Sequence, residues 1–502
     1  MTIEFRKVAV LGATGYVGGR LVPRLLEKGY SVVAISRSRR KLAGRPWASH
    51  PRIELKPADA TDESALGRAL EGVDTVYYLV HSMGPAKDFR STDSEAALSM
   101  SRATANAGCQ RVIYLGGLGE PEDSLSPHLA SRAEVASLLA QGSVPVTTLR
   151  AAMIIGSGSA SFEMLRYLVD RLPLMVTPRW VSTPCQPIAI RNVLDYLIGV
   201  LEREETVGRS YDIGGPEVTS YRHLMELYSD VAQLGRRWIV PVPVFTPKLS
   251  SYWINLVTPV PAALARPLAE GLKNPVICRD DSIRNVVPIR VLSYREAMEL
   301  ALQNMLAHTV ESHWTDAGAL PPEETVYPGD ATWSGGTVYS DRRKLTVTAP
   351  IETVWQAIVG IGGKNGWYYG NMLWRLRGWI DKLAGGVGSR RGRRDPSAVQ
   401  PGDALDFWRV LSVTPHQQLR LLAEMKLPGQ ALLDFQLTSL EGGKTAIQQT
   451  AWFVPTGLSG ILYWWAVTPF HNFVFSGMLR GIARQSGGEI LEGPEACTVD
   501  QH

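Results

Sequence analysis

Apolar and polar positions over the first 150 residues alternate between two periods. Short β-rich runs stand at Lys7–Leu11, Ser31–Ile35, Ile53–Lys56, Thr75–Val80, Arg111–Leu115 and Val146–Arg150. Stretches with helical spacing, such as Arg20–Glu27, Ala96–Asn106 and Ala133–Leu139, lie between several of them. Strands that alternate with helices predict a parallel, doubly wound α/β sheet. From about 151 to 315 the pattern loosens. A strand at Ser210–Ile213 ends in Gly214-Gly215-Pro216, and helices are expected at Tyr221–Ala232 and Tyr294–His308. Residues 316–337 hold Pro, Gly, Ser and Thr without apolar periodicity, the composition of a linker.

Beyond that stretch the character changes, and nine of the fourteen tryptophans follow residue 330. Strand-like runs at Ala404–Val413, Gln418–Met425, Ala431–Leu440 and Lys444–Phe453 predict an antiparallel sheet closed by a helix over Phe470–Arg484. With 502 residues the chain is too long for one core. The expected division is a domain over 1–315, the linker, and an α+β domain over 338–490. A net charge of +4 is small for this length and gives no footing for nucleic-acid binding. The four cysteines form no C-x-x-C pair, and His308 and His313 have no carboxylate or Cys nearby, so no metal site is expected. The N-terminus shows no signal-peptide pattern. The longest apolar stretch, Gly457–Leu479, is interrupted by Pro469, His471 and Asn472. A cytoplasmic protein is expected, with room for peripheral contact at the inner membrane face.

The sharpest chemical signal is Val8-Ala9-Val10-Leu11-Gly12-Ala13-Thr14-Gly15-Tyr16-Val17-Gly18. A buried strand runs into a glycine-rich turn and then a helix. Gly12 permits the turn, Gly15 lets backbone approach a pyrophosphate at the helix N-terminus, and Gly18 lets the helix pack on the sheet. The second strand ends in Ser36-Arg37-Ser38-Arg39-Arg40-Lys41, without the carboxylate that an NAD site places there for the ribose. Guanidinium groups suit a 2′-phosphate, so NADP(H) is favoured over NAD(H), with Arg37 and Arg39 as its partners. Asp59 and Ala60 follow the third strand and face the adenine, while Leu79, Val80 and His81 end the fourth strand beside the cofactor.

The glycine spacing, Asp59, the Arg111–Leu115 strand, Leu149-Arg150 and Asp212-Ile213-Gly214-Gly215-Pro216-Glu217 resemble the extended and atypical short-chain dehydrogenase/reductases over about residues 5–310. Among them the resemblance points to the group that includes the nucleotide-binding accessory subunit of respiratory complex I. Active members use a Ser at the end of the fifth strand and a Tyr-x-x-x-Lys pair. Here the strand ends Tyr114-Leu115-Gly116-Gly117, and Pro127-His128-Leu129-Ala130-Ser131-Arg132 puts His128 and Arg132 where Tyr and Lys belong. Arg132 can hold the ribose but cannot titrate as lysine does. His128 is either an acid–base group or a helix cap.

The region 151–315 corresponds to the family's substrate lid. Met153, Phe162, Met164, Trp180, Trp238 and Trp253 make it apolar and favour an apolar small-molecule ligand, though core packing accounts for them equally. Lys344–Trp355, a strand followed by Ala-Pro and a short helix, resembles the opening of START-like helix-grip proteins. That resemblance implies an apolar cavity beneath the closing helix, unless Trp452, Trp464, Trp465, Phe470 and Phe473 fill it. Arg390-Arg391-Gly392-Arg393-Arg394 is a basic loop, solvated by default, with anionic lipid or a phosphate group as the other reading. Two functions stay open: an NADP(H)-dependent oxidoreductase with a non-standard active site, or a non-catalytic NADP(H) sensor or assembly factor for a membrane complex.

Overall fold

Every side chain of Val8, Ala9 and Val10 is out of solvent, because the strand that carries them (β1, Lys7–Leu11) lies in the interior of a seven-stranded parallel sheet. The computed structural model describes residues 7–81, 89–119, 125–242, 257–308, 330–331, 333–383 and 399–497. Following β1 come α1 (Tyr16–Glu27), β2 (Ser31–Ser36), α2 (Arg39–Ala43), β3 (Ile53–Pro57), α3 (Glu63–Ala69), β4 (Thr75–Tyr78), α4 (Phe89–Asn106), β5 (Arg111–Gly117), α5 (Pro127–Ala140) and β6 (Val146–Ala151). The spatial order is β3-β2-β1-β4-β5-β6, extended at the β6 edge by Ser210–Ile213. One face is covered by α1 and the helix Ile190–Leu201, through Leu21, Leu25, Val193 and Leu197. The other is covered by α3, α4 and α5, through Leu66, Met100, Val135 and Leu139. The order reverses between β1 and β4, which opens a crevice at the carboxyl ends of those strands.

Among the described residues, those up to 308 together with 330–336 form one unit, and those from 337 to 497 form a second. The last residues of the expected linker therefore belong to the first unit. Asp330 pairs with Arg45 and Arg20, and the Trp333 carbonyl accepts from the Tyr167 hydroxyl at 3.0 Å. The reason is burial: a carboxylate between two solvent-excluded guanidinium groups cannot belong to a solvated tether.

In the second unit the strands Tyr339–Val347, Ala404–Leu405, Trp408–Thr414, Gln418–Ala423, Gly429–Leu440, Lys444–Pro455 and Ile490–Cys497 form one antiparallel sheet. Its last strand pairs with Tyr339–Val347, so the sheet runs past the expected limit at 490. The helix Gly457–Gln485 packs across three of these strands and runs straight through Pro469, longer than the Phe470–Arg484 expected. Trp464, Val474, Phe475, Met478 and Ile482 bury one side of it in the core, and that packing outweighs the single lost backbone bond. Of the aromatics expected beneath this helix, Trp464 is buried, whereas Trp465, Phe470 and Phe473 face outward. A further helix, Asn371–Leu383, has no counterpart in the sequence reading.

Candidate functional site

The turn after β1 is shaped by what a side chain would strike. Gly12 has φ +90°, and a Cβ there would lie 2.9 Å from the Leu79 carbonyl oxygen. A Cβ on Gly18 would lie 2.3 Å from the Gly12 carbonyl oxygen, so only glycine lets α1 pack this close. Gly15 precedes α1 in extended conformation and supplies no side-chain cap. The first amides of α1 thus point at the crevice, where the helix dipole favours an anion.

One cavity of about 980 Å³ fills the crevice. Gly12, Thr14, Gly15, Tyr16, Val17 and Gly18 line one end, with Ser36 and Arg37 at the end of β2. Asp59 and Ala60 line it after β3, and Leu79, Val80 and His81 after β4. The Thr61 amide and hydroxyl, with Arg37 nearby, hold the Asp59 carboxyl below the usual carboxylate range. Thr14 and Ser36 share a hydroxyl–hydroxyl bond of 2.8 Å that ties the turn to β2. Arg39 is the predicted residue that the fold does not bring here. Ser38 caps α2 by accepting from the Lys41 amide, and Arg39 begins that helix exposed to solvent, outside the cavity lining.

His128 and Arg132 reach the cavity from α5, one turn apart on the same side. The cap of this helix is Ser126, whose hydroxyl accepts from the Leu129 amide, so His128 does not serve as the cap. The His128 ring is buried, and Arg132 Nε donates to its Nε2 at 3.3 Å. Burial, reinforced by the Arg132 charge, lowers the His128 pKa to about 3, so the imidazole is neutral at pH 7. The His81 ring lies 6.2 Å from it, centroid to centroid. A Cβ on Gly117 would lie 3.1 Å from Arg132 Cδ and 3.2 Å from Leu129 Cδ2. The space that a serine would use at the end of β5 is thus crowded by these two side chains.

The other end of the cavity is apolar. Met153, Met164, Leu168, Trp180, Leu268 and Trp333 line it, drawn from well-separated segments. Of the other apolar residues singled out by sequence, Phe162 is wholly in the core. Trp238 is exposed on a short strand paired with Leu174–Pro178. Trp253, His313 and the Arg390–Arg394 loop lie outside the described residues.

Three functional supports escape sequence reasoning. Arg45 donates to the Thr14 carbonyl, and Arg20 donates to the carbonyls of Tyr16 at 3.0 Å and Ser157 at 3.2 Å. Both guanidinium groups meet Asp330, Arg45 at 2.8 Å and Arg20 at 3.5 Å. Together they brace the glycine turn from behind. No local pattern links residues so distant in the chain.

Residues 12–156 match the family described as NAD(P)H-binding, and residues 333–478 match a family described as a protein of unknown function, DUF2867. The mitochondrial NADH dehydrogenase 1 alpha subcomplex subunit 9 of Arabidopsis thaliana is 23% identical over 242 residues, covering 47% of this chain and 60% of that protein. The chloroplastic divinyl chlorophyllide a 8-vinyl-reductase of Cucumis sativus is 23% identical over 223 residues, covering 42% and 52% respectively. Neither match reaches two thirds of the relative's own length. The crystal structure of the Citrobacter triphenylmethane reductase with NADP(H) is 19% identical, covers 59% of this chain and 99% of that one, and has a TM-score of 0.49. With the glycine turn, the switch-point crevice and the family match in agreement, the N-terminal unit holds an NAD(P)-binding Rossmann domain, similar to the atypical short-chain dehydrogenase/reductases, followed by a DUF2867 region.

Proposed function

We propose that the chain is an NADPH-dependent reductase of a bulky apolar substrate. The observation that carries this reading is continuity: a single cavity joins the glycine turn to an end walled by Met164, Leu168, Trp180 and Trp333. The amides of α1 hold the pyrophosphate, and Arg37 supplies the charge for a 2′-phosphate. NADPH, when bound, supplies a hydride. The apolar walls exclude water and hold the acceptor by burial of its surface. His128 accepts from Arg132 at Nε2 and so carries its proton on Nδ1. A neutral imidazole of such low basicity polarises an acceptor oxygen by donating a hydrogen bond, and the reduced oxygen takes its proton from solvent as the product leaves the apolar end. Arg132 holds His128 in this tautomer and lies over Gly117.

The test is NADPH consumption by the full chain with apolar quinones, enones and polycyclic ketones. Turnover of at least one class is expected, falling about a hundredfold in His128→Ala while NADPH affinity stays within about twofold. The rival reading, a non-catalytic NADP(H) sensor or assembly factor, draws support from the absent Ser and Tyr and from the crowding over Gly117. Saturable NADPH binding without consumption in any class would establish that rival and overturn the reductase.

A further inference from the structure

The helix Gly457–Gln485 is apolar on two opposite sides from Leu462 to Met478. Trp464, Val474, Phe475 and Met478 bury one side against the sheet. On the other side Leu462, Trp465, Phe470 and Phe473 are 60%, 63%, 56% and 68% exposed. A surface helix ordinarily turns charged residues to water. This one holds no Asp or Glu, and its Arg480 and Arg484 stand near its C-terminal end.

The helix Asn371–Leu383 repeats the anomaly. Met372, Leu376, Trp379, Ile380 and Leu383 are all exposed, from 45% to 78%, and their spacing puts them on one stripe. The two helices are neighbours. The Arg377 guanidinium lies 5.9 Å from the centre of the Tyr463 ring, and a Cβ on Gly370 would lie 3.7 Å from Val474.

We propose that these two helices seat the protein on an anionic lipid bilayer, their exposed aromatic and aliphatic side chains entering the headgroup–acyl boundary. Charge complementarity selects this occupant. Arg375 and Lys382 are exposed beside the apolar stripe. Asp381, the one carboxylate of that helix, is buried and accepts from the Lys426 amide at 2.6 Å. Tryptophan and phenylalanine flanked by basic residues are what an interfacial helix presents to anionic lipid. A second copy docking by twofold symmetry would set basic rim against basic rim, which costs free energy. Among the described residues no helix is long and apolar enough to cross a membrane, so the arrangement lies on the bilayer. This inference is independent of the reductase reading.

The full chain is tested by flotation with vesicles of equal parts phosphatidylcholine and phosphatidylglycerol, and with phosphatidylcholine alone. Saturable binding to the anionic vesicles is expected, with a blue shift of tryptophan emission and weakening by added salt. Two variants are compared: Trp379→Ser/Trp465→Ser/Phe473→Ser, and Arg375→Glu/Lys382→Glu. Each is expected to bind at least about tenfold more weakly at unchanged melting temperature. If the first does not fold, the second decides alone. The proposal is overturned by no binding to anionic vesicles, by undiminished binding in the charge-reversal variant, or by vesicle-independent dimers that the aromatic variant dissociates.

Discussion

Replacing Asp330 with alanine separates structural support of the nucleotide turn from direct contact with the nucleotide. The Asp330 carboxylate meets Arg45 at 2.8 Å and Arg20 at 3.5 Å, and the arginine side chains are 1% and 0% exposed. Removing one member of a buried pair costs about 3–5 kcal/mol, because the remaining charge stays desolvated. Both arginines keep backbone carbonyls as acceptors, at Thr14, Tyr16 and Ser157, so the lower end, about 3 kcal/mol, is expected. At about 2–4 °C per kcal/mol, the transition of the first unit should drop by about 6–12 °C. NADPH affinity should also weaken, by about tenfold, since the Thr14 carbonyl loses its firmly held donor. Asp330→Asn keeps an acceptor and should fall between wild type and alanine. Scanning calorimetry of the full chain, with NADPH titrated by fluorescence, reads both quantities. An unchanged transition together with an unchanged dissociation constant would refute the assignment of Asp330 as the brace.

NADPH should bind at least about tenfold more tightly than NADH, and Arg37→Ala should erase the difference; equal affinities in the wild type would end the NADP(H) assignment. Gly15→Trp should abolish binding of both nucleotides, read by the same titration, because the indole would occupy the pyrophosphate end of the cavity. His128 has a folded pKa of about 3 against an ordinary 6.5, so below about pH 6.5 the unfolded chain binds a proton that the folded chain refuses. Its contribution is therefore complete near neutrality and declines as pH falls from about 6.5 toward 3; urea unfolding of wild type and His128→Gln at about pH 7 and about pH 5 should show a shallower decline in the variant. Gly117→Ser should not restore standard chemistry but should weaken NADPH binding, since its Cβ displaces Arg132 and Leu129; a gain in turnover would contradict this.

The β1–turn–α1 unit was legible because its determinants are local. The glycines that shape it act within seven residues, and Gly12 and Gly18 meet each other's backbone within the motif. Alternation of strands and helices also placed Arg37, Asp59 and His81, because in a parallel sheet the carboxyl ends of neighbouring strands gather at the switch point. Arg39 lies outside the cavity lining for an equally local reason, the Ser38 cap, which a run of basic residues disguises. Pro469 suggested an interruption, yet burial of Trp464 on one side of it and Val474 and Phe475 on the other carries the helix through. Sequence by itself thus determined the class of the first domain, its glycine turn and its NAD(P)-binding character. Tertiary structure alone decided the bracing of that turn by Asp330, which lies 310 residues from Arg20 and 285 from Arg45. It alone decided that Met153, Leu268 and Trp333 share one cavity wall and that Trp465 and Phe473 face outward. These depend on contacts between remote segments, and periodicity reports only which positions of one element share a face, not what comes to lie against it.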